Sequence, residues 1–136
     1  DFPFVDRDAA GWQALRQAYV EAVLAARPAI VAPSASALAN LLRIEPRFAT
    51  LSTQVIAHGL KRLQDSIPGI LAITFGPNVS PEGLAKGFTQ GFTVDFIDAA
   101  ARDAYLPHPE HQKVGAMIVA ALEGGLEGLA VVDWEV

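Results

Sequence analysis

The chain has 136 residues, of which 51% are hydrophobic and 18% charged, with a formal net charge of −5 and no cysteine. This length suits one domain with a real core, the apolar balance excludes disorder and favours association between subunits, and an acidic chain whose longest basic run is Lys61-Arg62 excludes nucleic acid as a partner. Disulfides and thiol nucleophiles are excluded, no apolar run approaches the roughly 20 residues that span a bilayer, and no secretory signal opens the chain at Asp1, so a soluble, cytoplasmic protein is expected.

From Arg7 to Ala26, RDAAGWQALRQAYVEAVLAA places Trp12, Leu15, Tyr19 and Val23 at three- and four-residue steps behind Asp8 as N-cap, which predicts an amphipathic helix. RPAIVAPSASA ends it and reads as a linker, with a boundary near Ser36. LANLLRIEP alternates Asn40, Leu42 and Ile44 against Leu41, Arg43 and Glu45, so Leu38 to Glu45 is the first predicted strand, stopped by Pro46. Ile56, Leu60, Leu63 and Ile67 mark one face of a helix starting near Ser52 and halted by IPG at Ile67 to Gly69. ILAITFG, Ile70 to Gly76, supplies a second strand. In the loop PNVSPEGLAKGFTQ, Ser80 caps a single turn with Pro81 first, and the glycines lack phosphate-loop spacing. GFTVDFI, Gly91 to Ile97, is a third strand; Asp98 caps a short helix through Tyr105, a second helix opens at Pro109 and stops at Gly124 and Gly125, and LAVVDWEV closes the chain as the last strand. From Leu38 onward the order β, α, β, β, α, β is the split βαβ of ferredoxin-like α+β domains. The expected organisation is an N-terminal helical extension and linker over residues 1–36 and one domain over 37–136.

The richest chemistry sits in AYLPHPEHQ, Ala104 to Gln112, with two of the chain's three histidines. If Pro109 is the first helical residue, His108 is the N-cap and His111 lies in the first turn, where the positive helix end disfavours imidazolium. A neutral His111 can accept a proton, and the nearby Tyr105 phenol can donate a hydrogen bond to a carbonyl or oxyanion. His108 and His111 could share a helix face as a metal pair, but only Asp103 or Glu110 stands near as a third ligand, so neither metal nor cofactor is expected. Asp133 and Glu135 alternate with Trp134 on the last strand and could meet a pocket, solvent or a partner. Phe92 and Trp134 read as core or interface aromatics, and His58 as a solvated helix residue.

Four stretches in order, IPGI, FGPNVSPEGLAKGFTQGFTVDF, AYLPHPEHQ and LAVVDWEV, together with the spacing from LLRIEP to IPG, resemble the stress-responsive α/β-barrel (Dabb) family over about Leu38 to Val136. The resemblance implies a ferredoxin-like subunit that pairs with a twin, so that two four-stranded sheets enclose a dimeric α/β barrel. The expected partner is a second copy of the chain, as a homodimer or a larger assembly. The family includes stress-induced plant proteins, bacterial proteins without assigned activity and olivetolic acid cyclase. The YxxHPxH pattern of that cyclase falls on Tyr105, His108 and His111, which implies catalytic roles for Tyr105 and His111. Where the cyclase has further pocket histidines this chain carries Leu38 and Gln90; glutamine moves no proton at neutral pH and leucine forms no hydrogen bond, so an identical polyketide cyclisation is not expected. His108, Gln90, Leu38 and Phe92 are the expected ligand-binding residues. Three functions follow from the resemblance: a homodimeric protein binding a small apolar or carbonyl-containing molecule in its pocket, a metal-free enzyme of cyclase or lyase type with His111 as base and Tyr105 as acid, or a stress protein whose stable assembly is its function.

Overall fold

A computed structural model describes residues 36–135, together with residues 14 and 17–22. The chain divides into two compact units, Asp1–Pro33 and Ser34–Val136. In the first, residues 14 and 17–22 are helical, as the spacing predicts, and Gln17 Nε2 donates to Glu21 Oε1 one turn on at 3.0 Å. Trp12, Leu15, Val23 and the linker through Ala35 lie outside the described residues.

The second unit runs β1 (Ser36–Leu42), α1 (Ala49–Ser66), β2 (Ile70–Pro77), β3 (Gln90–Phe96), α2 (Ala99–Tyr105), α3 (Pro109–Ala120) and β4 (Leu129–Glu135). The strands form one antiparallel sheet in the order β2-β3-β1-β4, the α+β ferredoxin-like arrangement. In register, Leu38 faces Val94 and Asp133, while Asn40 faces Phe92 and Val131. Because side chains alternate along a strand, Leu38 and Leu42 of β1 and Phe92, Val94 and Phe96 of β3 share one face. That face meets Ile56, Leu60 and Leu63 of α1 and Val114 and Ile118 of α3 in one buried cluster. Burying each such side chain contributes about 1.5–3 kcal/mol, so this cluster sets the helix layer over the sheet. On the opposite face Leu41, Val132 and Trp134 stay exposed.

The predicted elements shift at several boundaries, and the larger shifts have identifiable causes. β1 begins at Ser36 and stops at Leu42 rather than Glu45, because the Arg43 N–H leaves the sheet ladder to donate to Gly128 O and the Glu45 N–H to Ala121 O. α1 begins at Ala49 rather than Ser52, since a 3-10 turn at Pro46–Phe48 already winds the chain. α3 ends at Ala120, short of Gly124, as Leu122 is drawn into a bridge with Ile44.

A side-chain cap orients the first of the two helices that matter for the site. The Asp98 carboxylate accepts from the Ala101 N–H at 2.8 Å and starts α2. Behind it, Gly69 adopts φ +88°, and its carbonyl accepts from the Ile97 N–H at 2.9 Å. A Cβ at Gly69 would sit 2.6 Å from Ala101 Cβ, so the chain between α1 and β2 touches α2 through a position only glycine fills without strain. Gly69→Ala is therefore expected to lower unfolding free energy by about 2–4 kcal/mol, from the left-handed backbone plus overpacking, as read by urea denaturation.

Candidate functional site

Between the sheet and the helices lies a cavity of about 260 Å³ with a predominantly apolar wall. Leu38, Asn40 and Phe92 contribute from the sheet, and Tyr105 and His111 from the end of α2 and the start of α3. Local structure explains how the last two meet. The His108 N–H donates to Tyr105 O at 3.0 Å, closing a turn after α2, and His108 Nδ1 accepts from the Glu110 N–H at 3.1 Å, capping α3 with Pro109 at its first position. His111 then falls in the first turn of the helix. Its ring lies over that of Tyr105 with centroids 4.1 Å apart and planes at 33°, while Phe96 meets the Tyr105 ring edge-on at 5.1 Å.

The stack fixes protons as well as rings. His111 Nδ1 lies 2.8 Å from Leu106 O, and a carbonyl only accepts, so Nδ1 carries the hydrogen and donates it. In the neutral ring the lone pair is then on Nε2, the nitrogen a general base needs. Tyr105 is 2% exposed, and burial pushes its phenol up from 10.0 to about 12, so it stays a hydrogen-bond donor throughout the neutral range. A third polar group completes the wall: Asn40 is 8% exposed and its Nδ2 has no hydrogen-bond partner among the described residues. A buried donor left unmade costs about 1–3 kcal/mol.

Of the residues singled out from sequence, Leu38, Phe92, Tyr105 and His111 are brought together around this cavity. His108 and Gln90 are not. The imidazole of His108 is engaged as the helix cap. Gln90 instead lines an open groove of about 870 Å³ with Leu41, Thr93 and the loop from Pro77 to Pro81. It sits at the first residue of β3, paired to Leu42 at the far end of β1 from Leu38, which carries it past the cavity. Asp133 forms an ion pair with Arg102 of α2 at 3.4 Å, and His58 is exposed on α1. Asn40 is the residue that sequence reasoning passed over. Its signal was present in LANLL, where a polar side chain alternates in phase with Leu38 and Leu42, positions that must face the core.

Comparison with known proteins decides the family. The model of the stress-responsive A/B barrel domain, Dabb, matches residues 40–136, more than half of the chain. The chain belongs to the Dabb family. A dimeric ferredoxin-like protein of unknown function from Jannaschia sp. CCS1 is 35% identical, with 74% of this Dabb chain and 98% of that one covered at a TM-score of 0.68. A Dabb family protein from Mesorhizobium loti is 20% identical over 73% of this chain and 93% of its own, with a TM-score of 0.58. A hydroxynitrile lyase from Passiflora edulis shares the fold at 18% identity, covering 76% of this chain and 94% of its own, with a TM-score of 0.67. No curated protein matches the sequence. No described helix of the Dabb chain is long and apolar enough to cross a membrane, and no three His, Cys, Asp or Glu side chains among the described residues are grouped to hold a metal ion.

The raised Tyr105 phenol makes stability depend on pH. Below pH 10 the phenol is protonated in both folded and unfolded chains; between pH 10 and about 12 the unfolded chain loses the proton first, so stability falls as pH rises. In denaturant titrations the stability of wild type relative to Tyr105→Phe is expected to fall by about 2–3 kcal/mol across that window and to stay constant below it.

Proposed function

We propose that this Dabb protein works as a homodimer whose subunits each bind a small, largely apolar carbonyl compound in the Tyr105–His111 cavity. There His111 Nε2 takes a proton from the carbon beside the carbonyl, and the Tyr105 phenol donates to the carbonyl oxygen as negative charge develops on it. One observation carries the reading: the rings of a buried tyrosine and of an imidazole held in the Nδ1–H form have centroids 4.1 Å apart at one apolar cavity. Neither arrangement is needed to build the helix start, which His108 and Pro109 already supply. The volume is near the lower end of what small-ligand pockets use, which limits the ligand to a compact molecule. The exposed apolar face of Leu41, Val132 and Trp134 supports dimerisation, as does the 35% identical Jannaschia relative, described as dimeric. Lyase chemistry, the activity in the name of the Passiflora protein, draws on the same base and donor pair and is a second use of this site.

Exchange of ketone α-protons for deuterium, followed by NMR in D2O, reads the proposed step without presuming which bond is made or broken next. Wild type is expected to accelerate exchange. His111→Ala should lower the rate about 10²–10⁴-fold, and Tyr105→Phe about 10²–10³-fold, with ketone affinity changed far less. Exchange that is indifferent to both substitutions overturns the reading. Loss of the dimer in His111→Ala, with no ligand effect at all, assigns the pair a structural role instead.

A further inference from the structure

Asn40 is one of two buried polar residues, with Ser36, on the helix-facing side of β1. It lies on β1, the strand hydrogen-bonded to both β3 and β4, with Phe92 and Val131 as cross-strand neighbours and Leu38 two residues along the same face. It is more than nine-tenths buried, yet its Nδ2 has no partner among the described residues, and the side chain borders the cavity that Tyr105 and His111 share. A carboxamide in such a position calls for a ligand group. Its last torsion is soft, so it can turn a donor edge or an acceptor edge into the cavity.

The rest of the wall narrows what that group can be. No Asp, Glu, Lys or Arg lines the cavity, so an ammonium would be buried without a countercharge and a carboxylate would have no permanent cation beside it. The group is therefore neutral. Among neutral groups a hydroxyl is the smallest that both accepts from an amide N–H and donates to an amide oxygen. We infer that the cavity selects a neutral hydroxy-carbonyl compound, with Asn40 as the specificity residue that holds the hydroxyl. The carbonyl then falls to Tyr105 and His111, so this inference rests on the proposed function above and names its substrate class.

The test compares two probes of one carbon skeleton, diacetone alcohol and methyl isobutyl ketone, which differ by a hydroxyl. Their Kd values are measured by ligand-observed NMR on the full chain. Wild type is expected to bind the hydroxy ketone about ten- to a hundredfold more tightly, since the ketone leaves the carboxamide unpaired. Asn40→Leu, which keeps the branched shape and the number of heavy atoms, should bring the two affinities within about twofold of each other, chiefly by weakening the hydroxy ketone. Asn40→Val, β-branched and suited to a central strand, repeats the measurement should the leucine variant fail to fold. Equal affinities in wild type, a preference that survives the substitution, or binding of neither probe overturns the inference. Failure of the proton-transfer reading looks different: deuterium exchange unaffected by His111→Ala, with the hydroxyl preference intact.

Discussion

The site depends on one hydrogen bond, from the Glu110 N–H to His108 Nδ1. It satisfies an otherwise orphaned donor at the start of α3 and is worth about 1 kcal/mol as a cap, but its larger consequence is positional. With His108 fixed outside the helix and Pro109 as its first residue, His111 falls in the first turn, where its ring lies over Tyr105. Moving the helix start by one residue would rotate His111 by about 100°, away from the phenol. The same turn supplies Leu106 O, which accepts both from His111 Nδ1 and from Gln112 Nε2 at 2.8 Å. The cap thus sets the position of the His111 ring, and the turn before it sets which nitrogen carries the proton.

The sheet provides the complementary half. Its helix-facing side is packed by Leu38, Leu42, Phe92, Val94 and Phe96, and this packing buries the Tyr105 ring. Desolvation raises the Tyr105 phenol, and the same low-dielectric setting makes each hydrogen bond to a ligand count for more. Against that wall Asn40 stands out, since every neighbour it has across the strands is apolar. The opposite side of the sheet has a different composition, with exposed Leu41, Val132 and Trp134, as suits a surface awaiting another subunit. The proposed ligand and the proposed partner thus fall on opposite faces of one sheet.

Most of this fold was legible in the sequence because its signals are local. Alternation in LANLL, ILAITFG and GFTVDFI, Asp98 as a cap, and Pro109 behind His108 each name an element without reference to anything distant. The errors at the ends of β1 and α3 are tertiary, whereas the early start of α1 follows the adjoining 3-10 turn at Pro46–Phe48. β1 stops early because residues 43–45 pair with residues 121–128, nearly eighty positions away, and α3 stops early for the same pairing. The site follows the same division. Tyr105 and His111 could be named from YxxHPxH, but whether Gln90 or Asn40 belongs with them turns on where β1 and β3 pass under the helices. Register places Asn40 against Phe92 and Val131 beneath the stack and carries Gln90 to the far end of β1. No single-residue pattern could distinguish an inward asparagine that meets a cavity from one that is simply poorly packed.

The account stands on proton placement, and long-range ¹H–¹⁵N NMR of the histidine rings measures it directly. His108 and His111 are three residues apart yet use Nδ1 in opposite senses, the first accepting from Glu110 and the second donating to Leu106. At a pH where the rings are neutral, the account predicts the Nε2–H tautomer for His108 and the Nδ1–H tautomer for His111, with the His111 Nε2 signal moving when a ketone is added. An Nε2–H tautomer at His111 would put a proton where the base must be and would contradict it.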